Sequence, residues 1–249
     1  MMPYNPAFLD NVEIFTKDEL ELLEQLNSKL TLSEFLKNKN LVNELGIDYI
    51  HTSAKIEGNS YSKLETTTLL KHGQTAGGKL YSDAKMILNL REAYYFLLRE
   101  DLKISKSTLK DMHYIVSDEM VARSEMGAPR NEVVTISQSN YIPLSLRDRL
   151  DDELNYLFKK YNQINNPYDK AIYLHNNLAY LQYFKDCNKR TARNMLNVSL
   201  MSSGKMIYIP NETDVKIYLS SIVNYYETGN YDKFKRHFIE SHKRIVNTI

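Results

Sequence analysis

Residues 181–196 read LQYFKDCNKRTARNML. Lys185, Lys189, Arg190 and Arg193 cluster there around Asp186, between two apolar runs. Upstream, Pro167 is followed by Ala171, Leu174, Leu178 and Leu181 at +3/+4 spacing, which predicts a helix carrying one apolar stripe. Downstream, Met195, Leu196, Val198 and Leu200 continue a second apolar face as far as Gly204, a predicted C-cap. The charged stretch therefore sits on a loop joining two core helices.

Working outward, the 249 residues contain only 6 Pro and 8 Gly, so long stretches are free to be helical. Apolar periodicity predicts further helices at 17–37, 41–57, 62–72, 82–99, 105–120, 147–161, 212–228 and 230–246. One region reads differently. EVVTISQSNYIP, from Glu132 to Pro143, is β-branched and partly alternating after the Gly127–Pro129 breaker, which predicts a short hairpin in an otherwise all-α chain.

Lys+Arg 32 against Asp+Glu 31 gives a net charge of +1, so no global basic field argues for nucleic acid and any anion site must be local. The single Cys187 excludes an internal disulfide and disfavours a structural zinc site. MMPYNPAFLDNVEIF lacks the basic and apolar regions of a signal peptide, and no apolar run reaches membrane-span length. The expectation is a cytoplasmic protein with no membrane partner.

The start of a helix presents unpaired backbone N–H groups and the positive end of the peptide dipoles, a setting that favours a bound anion. Arg190 and Arg193, at i and i+3, share a side and could fork onto neighbouring phosphate oxygens. The hard carboxylate of Asp186 beside them could hold Mg²⁺ bridging those oxygens. That combination suits a polyphosphate. The same residues also fit a solvated charged turn in which Asp186 pairs with Arg190. His175 lies too far back along its helix from the loop for direct proton transfer and is expected on the helix surface or half-buried. His51, His72, His113, His237 and His242 have no motif around them. Cys187, if exposed, would have a lowered pKa beside Lys189 and Arg190.

The string from Gln182 to Arg193 resembles the signature of the Fic (Fic/Doc) family, H-x-F-x-[DE]-G-N-[GK]-R-x-x-R. It matches at Phe184, Asp186, Asn188, Lys189, Arg190 and Arg193, and departs at Gln182 (usually His) and Cys187 (usually Gly). SAKIEGN at 53–59 resembles the [ST]-x-x-x-E-[GN] motif of autoinhibited members. The resemblance runs from about Ser53 to about Ile239. It implies an all-α Fic core at 46–249, with an inhibitory helix at about 46–58, a target-docking flap at about 132–143 and an active-site loop at 182–193; the denser core pattern starts only after residue 45, so 1–45 is expected as an N-terminal helical extension.

The implied activity is protein adenylylation, the transfer of AMP from ATP to a hydroxyl of a target protein. By the same resemblance Asp186 holds Mg²⁺, Asn188 and Lys189 cradle phosphates, and Arg190 and Arg193 bind the outer phosphates. Phe184 anchors the loop from within the core. Ser53, Glu57 and Gly58 form the inhibitory element, with Glu57 near the helix tip and paired to Arg193. Val133, Val134, Thr135, Ile136 and Ser137 form the flap on which an unidentified target protein docks, and a homo-oligomer is admitted. Gln182 stands at the position of the general base, where an amide has no useful basicity. Two functions follow: an adenylyltransferase autoinhibited by Glu57 and impaired by Gln182, or a catalytically inactive nucleotide-binding regulatory module.

Overall fold

The computed structural model describes residues 1–137, 139–145 and 147–248. Its helices are α1 (Lys17–Lys29), α2 (Leu32–Lys37), α3 (Lys39–Ile56), α4 (Lys63–His72), α5 (Tyr81–Leu97) and α6 (Lys106–Ser117). After a long irregular connection come α7 (Arg147–Gln163), α8 (Pro167–Leu181), α9 (Asn188–Ser202), α10 (Val215–Thr228) and α11 (Asp232–Thr248). The only paired strands among the described residues are β1 (Met2–Pro3) and β2 (Tyr141–Ile142). No helix is long and apolar enough to cross a membrane among the described residues.

The antiparallel pair α8 and α9 forms the centre. On it pack α5 and α6 against α9, α7 against α8, and α10 against both α8 and α3. The expected single stripe on α8 is too narrow a description, because every residue from Ala171 to Leu181 is buried. Tyrosine hydroxyls help two of its buried polar residues, His175 and Asn177, to tolerate this. Tyr225 donates to Asn177 Oδ1 at 2.7 Å, and Asn177 Nδ2 donates to the Tyr231 hydroxyl at 2.9 Å. A tyrosine can bury its ring and still bring a hydroxyl to an internal amide, which accounts for the value of 19 Tyr to this core.

Two sequence expectations need correction. The helix expected over 17–37 is broken, since Leu30 is extended and Thr31 begins α2 with a capping box in which its N–H donates to Glu34 Oε2 at 2.9 Å. The hairpin expected over 132–143 does not form among the described residues; Gln138 lies outside them. Instead β2 pairs in parallel with β1, Met2 N–H donating to the Asn140 carbonyl at 2.8 Å and Tyr4 N–H to that of Ile142 at 3.0 Å. Tyr141 is buried, stacked on Tyr180 with centroids 4.4 Å apart, and donates to the Tyr180 carbonyl at 2.6 Å. Tyr141 is thus spent on α8, while Val133 and Ile142 of the same segment stay exposed. Residues 2–15 are correspondingly not helical beyond a 3₁₀ turn at Pro6–Asp10.

Candidate active site

The loop 182–187 is fixed from both ends. Gln182 ends α8 at φ 49° and Cys187 begins α9 at φ 60°, both in the left-handed region. Cys187 thus adopts the backbone conformation for which glycine is favoured. Phe184 is buried and stacks on His113 at 3.7 Å between centroids. Asn188 staples the loop: its Oδ1 accepts from Phe184 N–H at 2.9 Å, and its Nδ2 donates to the Phe184 carbonyl at 2.8 Å and to Gln182 Oε1 at 3.2 Å. Expected as a phosphate ligand, Asn188 spends both amide hydrogens inside the loop here. Gln182 Nε2 donates to the Ala179 carbonyl at 2.7 Å, so both ends of that amide are engaged as well.

His113, to which the sequence assigned no role, is a second support. Gly127 N–H donates to its Nδ1 at 2.8 Å, so Nε2 carries the proton and donates to the Asp186 carbonyl at 3.2 Å. Burial holds its pKa down to about 4, which preserves that tautomer at neutral pH. No local pattern marks this role, because His113 meets the loop only through the packing of α6 on α9.

A cleft of about 770 Å³ opens over the loop. Glu57, Lys189 and Asp186 contribute charge to it, Val133 to Ser137 form one extended wall, and Leu219, Ile222, Val223 and Tyr226 of α10 form an apolar side. The Asp186 side chain is 63% exposed, with Oδ2 3.6 Å from Arg190. Its Oδ1 accepts from the Cys187 N–H at 2.5 Å, and the exposed carboxylate at the cleft fits a Mg²⁺ site completed by phosphate and water. Cys187 is buried and its thiol is pushed up to about 12 by burial, so the reactive thiolate expected of an exposed cysteine is not formed.

Arg193 is fully buried behind this cleft. Its Nε donates to Ser53 Oγ at 3.3 Å, and its Nη2 to the Ser53 carbonyl and to Glu57 Oε1, both at 3.1 Å. Its Nη1 donates to the Tyr218 hydroxyl at 3.2 Å. Glu57 directly follows α3, and Gly58 at φ 83° turns the chain away. The Glu57 side chain is only 11% exposed, not at an open helix tip, and its Oε2 lies 3.6 Å from Lys189 Nζ. Burial alone would raise its pKa; Lys189, Arg193 and Arg190 together hold it below the ordinary glutamate value. Arg190 is buried and does not line the cleft, and its Nε and Nη1 have no hydrogen-bond partner among the described residues.

His175 is likewise fully buried, not at the helix surface. Its Nε2 lies 2.9 Å from the Tyr218 hydroxyl and its ring stacks on Phe234, so it belongs to the support behind Arg193.

Residues 103–200 match the model of the Fic/DOC family. That stretch, from α6 to α9, is similar to the Fic/DOC family. The fold superposes on solved structures across nearly the whole chain. A Fic family protein from Desulfovibrio desulfuricans G20 aligns at TM-score 0.79 and 16% identity, covering 98% of this chain and 76% of that one. The Fic-1 fragment from Caenorhabditis elegans aligns at TM-score 0.73 and 22% identity, covering 97% and 70%. These likenesses concern the fold. In sequence, the protein adenylyltransferase fic-1 of Caenorhabditis briggsae is 27% identical over 179 residues, 69% of this chain and 35% of that protein. The protein adenylyltransferase Fic of Nematostella vectensis is 26% identical over 203 residues, 79% and 47%. The chain thus spans between a third and a half of the length of these relatives.

Proposed function

We propose that the cleft binds Mg-ATP and that the chain is a protein adenylyltransferase, held off by Glu57 and slowed by Gln182. One observation carries this reading: a carboxylate of the chain's own lies in the cleft against Lys189 and a fully buried Arg193. An anionic partner stabilises a buried guanidinium, and Glu57 supplies Arg193 with the charge that a terminal phosphate would bring. Displacement of Glu57 frees Arg193 and Lys189 for the phosphates, with the N-terminal amides of α9 adding favourable dipoles. Asp186 would hold Mg²⁺, which when bound neutralises phosphate charge. The extended wall at Val133 to Ser137 would receive a target segment and set its hydroxyl over the loop.

Gln182 supports a second reading, a nucleotide-binding module without transfer. A positioned base contributes roughly 10²–10⁴ in rate, and no histidine lines the cleft among the described residues. Calorimetry with Mg-ATP on the parent chain, Glu57→Gly and Glu57→Gly/Arg193→Ala tests the shared core of both readings. Binding should strengthen in the first variant and be lost in the second. Equal affinity in all three would remove the site. Incubation of Glu57→Gly with α-labelled ATP then separates the readings by label on protein.

A further inference from the structure

Arg130 is a long cation that is only 3% exposed, yet its guanidinium meets no carboxylate among the described residues. Its donors go to main-chain carbonyls on three segments: Nε to Gln182 at 2.6 Å, Nη1 to Glu132 at 2.7 Å, and Nη2 to Leu144. Its own N–H donates to the Tyr183 carbonyl at 3.0 Å. Glu132 and Leu144 are the two ends of the segment that walls the cleft, and Gln182 is the residue at the general-base position. The neck of the wall and the start of the loop therefore close on one planar group.

We propose that Arg130 is a positioning residue that sets the register between the target-docking wall and the loop at 182–187. Glu227 fastens the far part of the same segment, its Oε1 accepting from Ser139 Oγ at 2.9 Å and Asn140 N–H at 3.0 Å. Without Arg130 the wall would keep that anchor but lose its fixed distance from Gln182. The guanidinium suits the task because its donors diverge rigidly within one plane, whereas an ammonium on a flexible stem cannot hold three carbonyls at fixed angles. Arg130 lies outside the phosphate contacts, so its effect falls on where a hydroxyl approaches and not on nucleotide affinity.

The inference rests on the adenylyltransferase reading only for its consequence in catalysis. Full-length Arg130→Lys and Arg130→Ala, in the Glu57→Gly background, are compared with Glu57→Gly by hydrogen–deuterium exchange, Mg-ATP calorimetry and α-labelled ATP transfer. Exchange should rise at the Phe184 and Tyr141 amides, with α3 and α11 unchanged, in both variants. Mg-ATP affinity should stay within about threefold, while labelling falls by about 10²-fold, the cost typical of a reacting group misplaced by an ångström. Full activity and parental exchange in Arg130→Lys would show that charge and bulk suffice and overturn the proposal. So would a uniform rise in exchange across all helices, or a fall in Mg-ATP affinity parallel to labelling. If Glu57→Gly itself neither binds nor labels, the functional reading fails by its own control, and the exchange pattern still decides the role of Arg130.

Discussion

Removing the Glu57 carboxylate should destabilise the protein and simultaneously improve its affinity for Mg-ATP. The Arg193–Glu57 contact is 3.1 Å, with side chains 0% and 11% exposed. Deleting one partner of such a pair costs about 3–5 kcal/mol, because a charge is left buried and uncompensated. Ser53 and Tyr218 still accept from Arg193, which places Glu57→Gly near the lower end, about 3 kcal/mol. For a chain of this size, that corresponds to a fall of about 6–12 °C in Tm. The energy that Glu57 supplies to Arg193 is energy that an incoming phosphate must displace. Its removal should therefore tighten Mg-ATP by about 10²-fold, at 1.4 kcal/mol per decade. Mg-ADP, one phosphate shorter, should gain much less. Mg-ATP at 100 times its Kd should return about 2.7 kcal/mol of stability. Thermal unfolding and calorimetry on the parent chain and Glu57→Gly check both halves. Unchanged Tm, or equal gains for Mg-ATP and Mg-ADP, would refute the competition between Glu57 and the terminal phosphate.

Two further outcomes follow from the loop and the core. Gln182→His in the Glu57→Gly background should raise transfer to protein by up to roughly 10²–10⁴, and the gain should fade below about pH 6 as the imidazole protonates; equal labelling with and without the imidazole would favour the non-catalytic module. Burial holds His113, His237 and His242 at about 4 and His175 at about 3. The unfolded chain binds protons at these sites near pH 6.5 while the folded chain does not. Stability from these groups is therefore full above about pH 6.5 and is lost as pH falls towards 4. Denaturant titrations between pH 7.5 and 4.5 should show this decline, and a flat profile would contradict neutral buried imidazoles.

The helical class was legible in periodicity because α8 and α9 are long and their apolar positions recur at helical spacing, and Pro167 marks where α8 begins. The break at Thr31 was also written locally, in the capping box with Glu34, although the apolar spacing ran through it. The hairpin failed for the opposite reason: a short alternating segment specifies an extended backbone but not its partner. Here the partner was Met2–Pro3, which is far away in sequence and paired with β2 in parallel.

By itself the sequence determined which residues are chemically able to hold phosphate, and that Gln182 and Cys187 occupy two positions of the loop motif. Tertiary structure alone decided what each of them faces. Glu57 reaches Arg193 because hydrogen bonds from Tyr49 to Asn194 and from Arg193 to Ser53 join α3 to α9, His113 supports Asp186 because α6 packs there, and Arg130 gathers carbonyls from segments up to 52 residues away. Local sequence records propensity and periodicity, which act over a few residues. The charge state and hydrogen-bond partner of a buried side chain depend on desolvation and on neighbours that only the folded chain brings together.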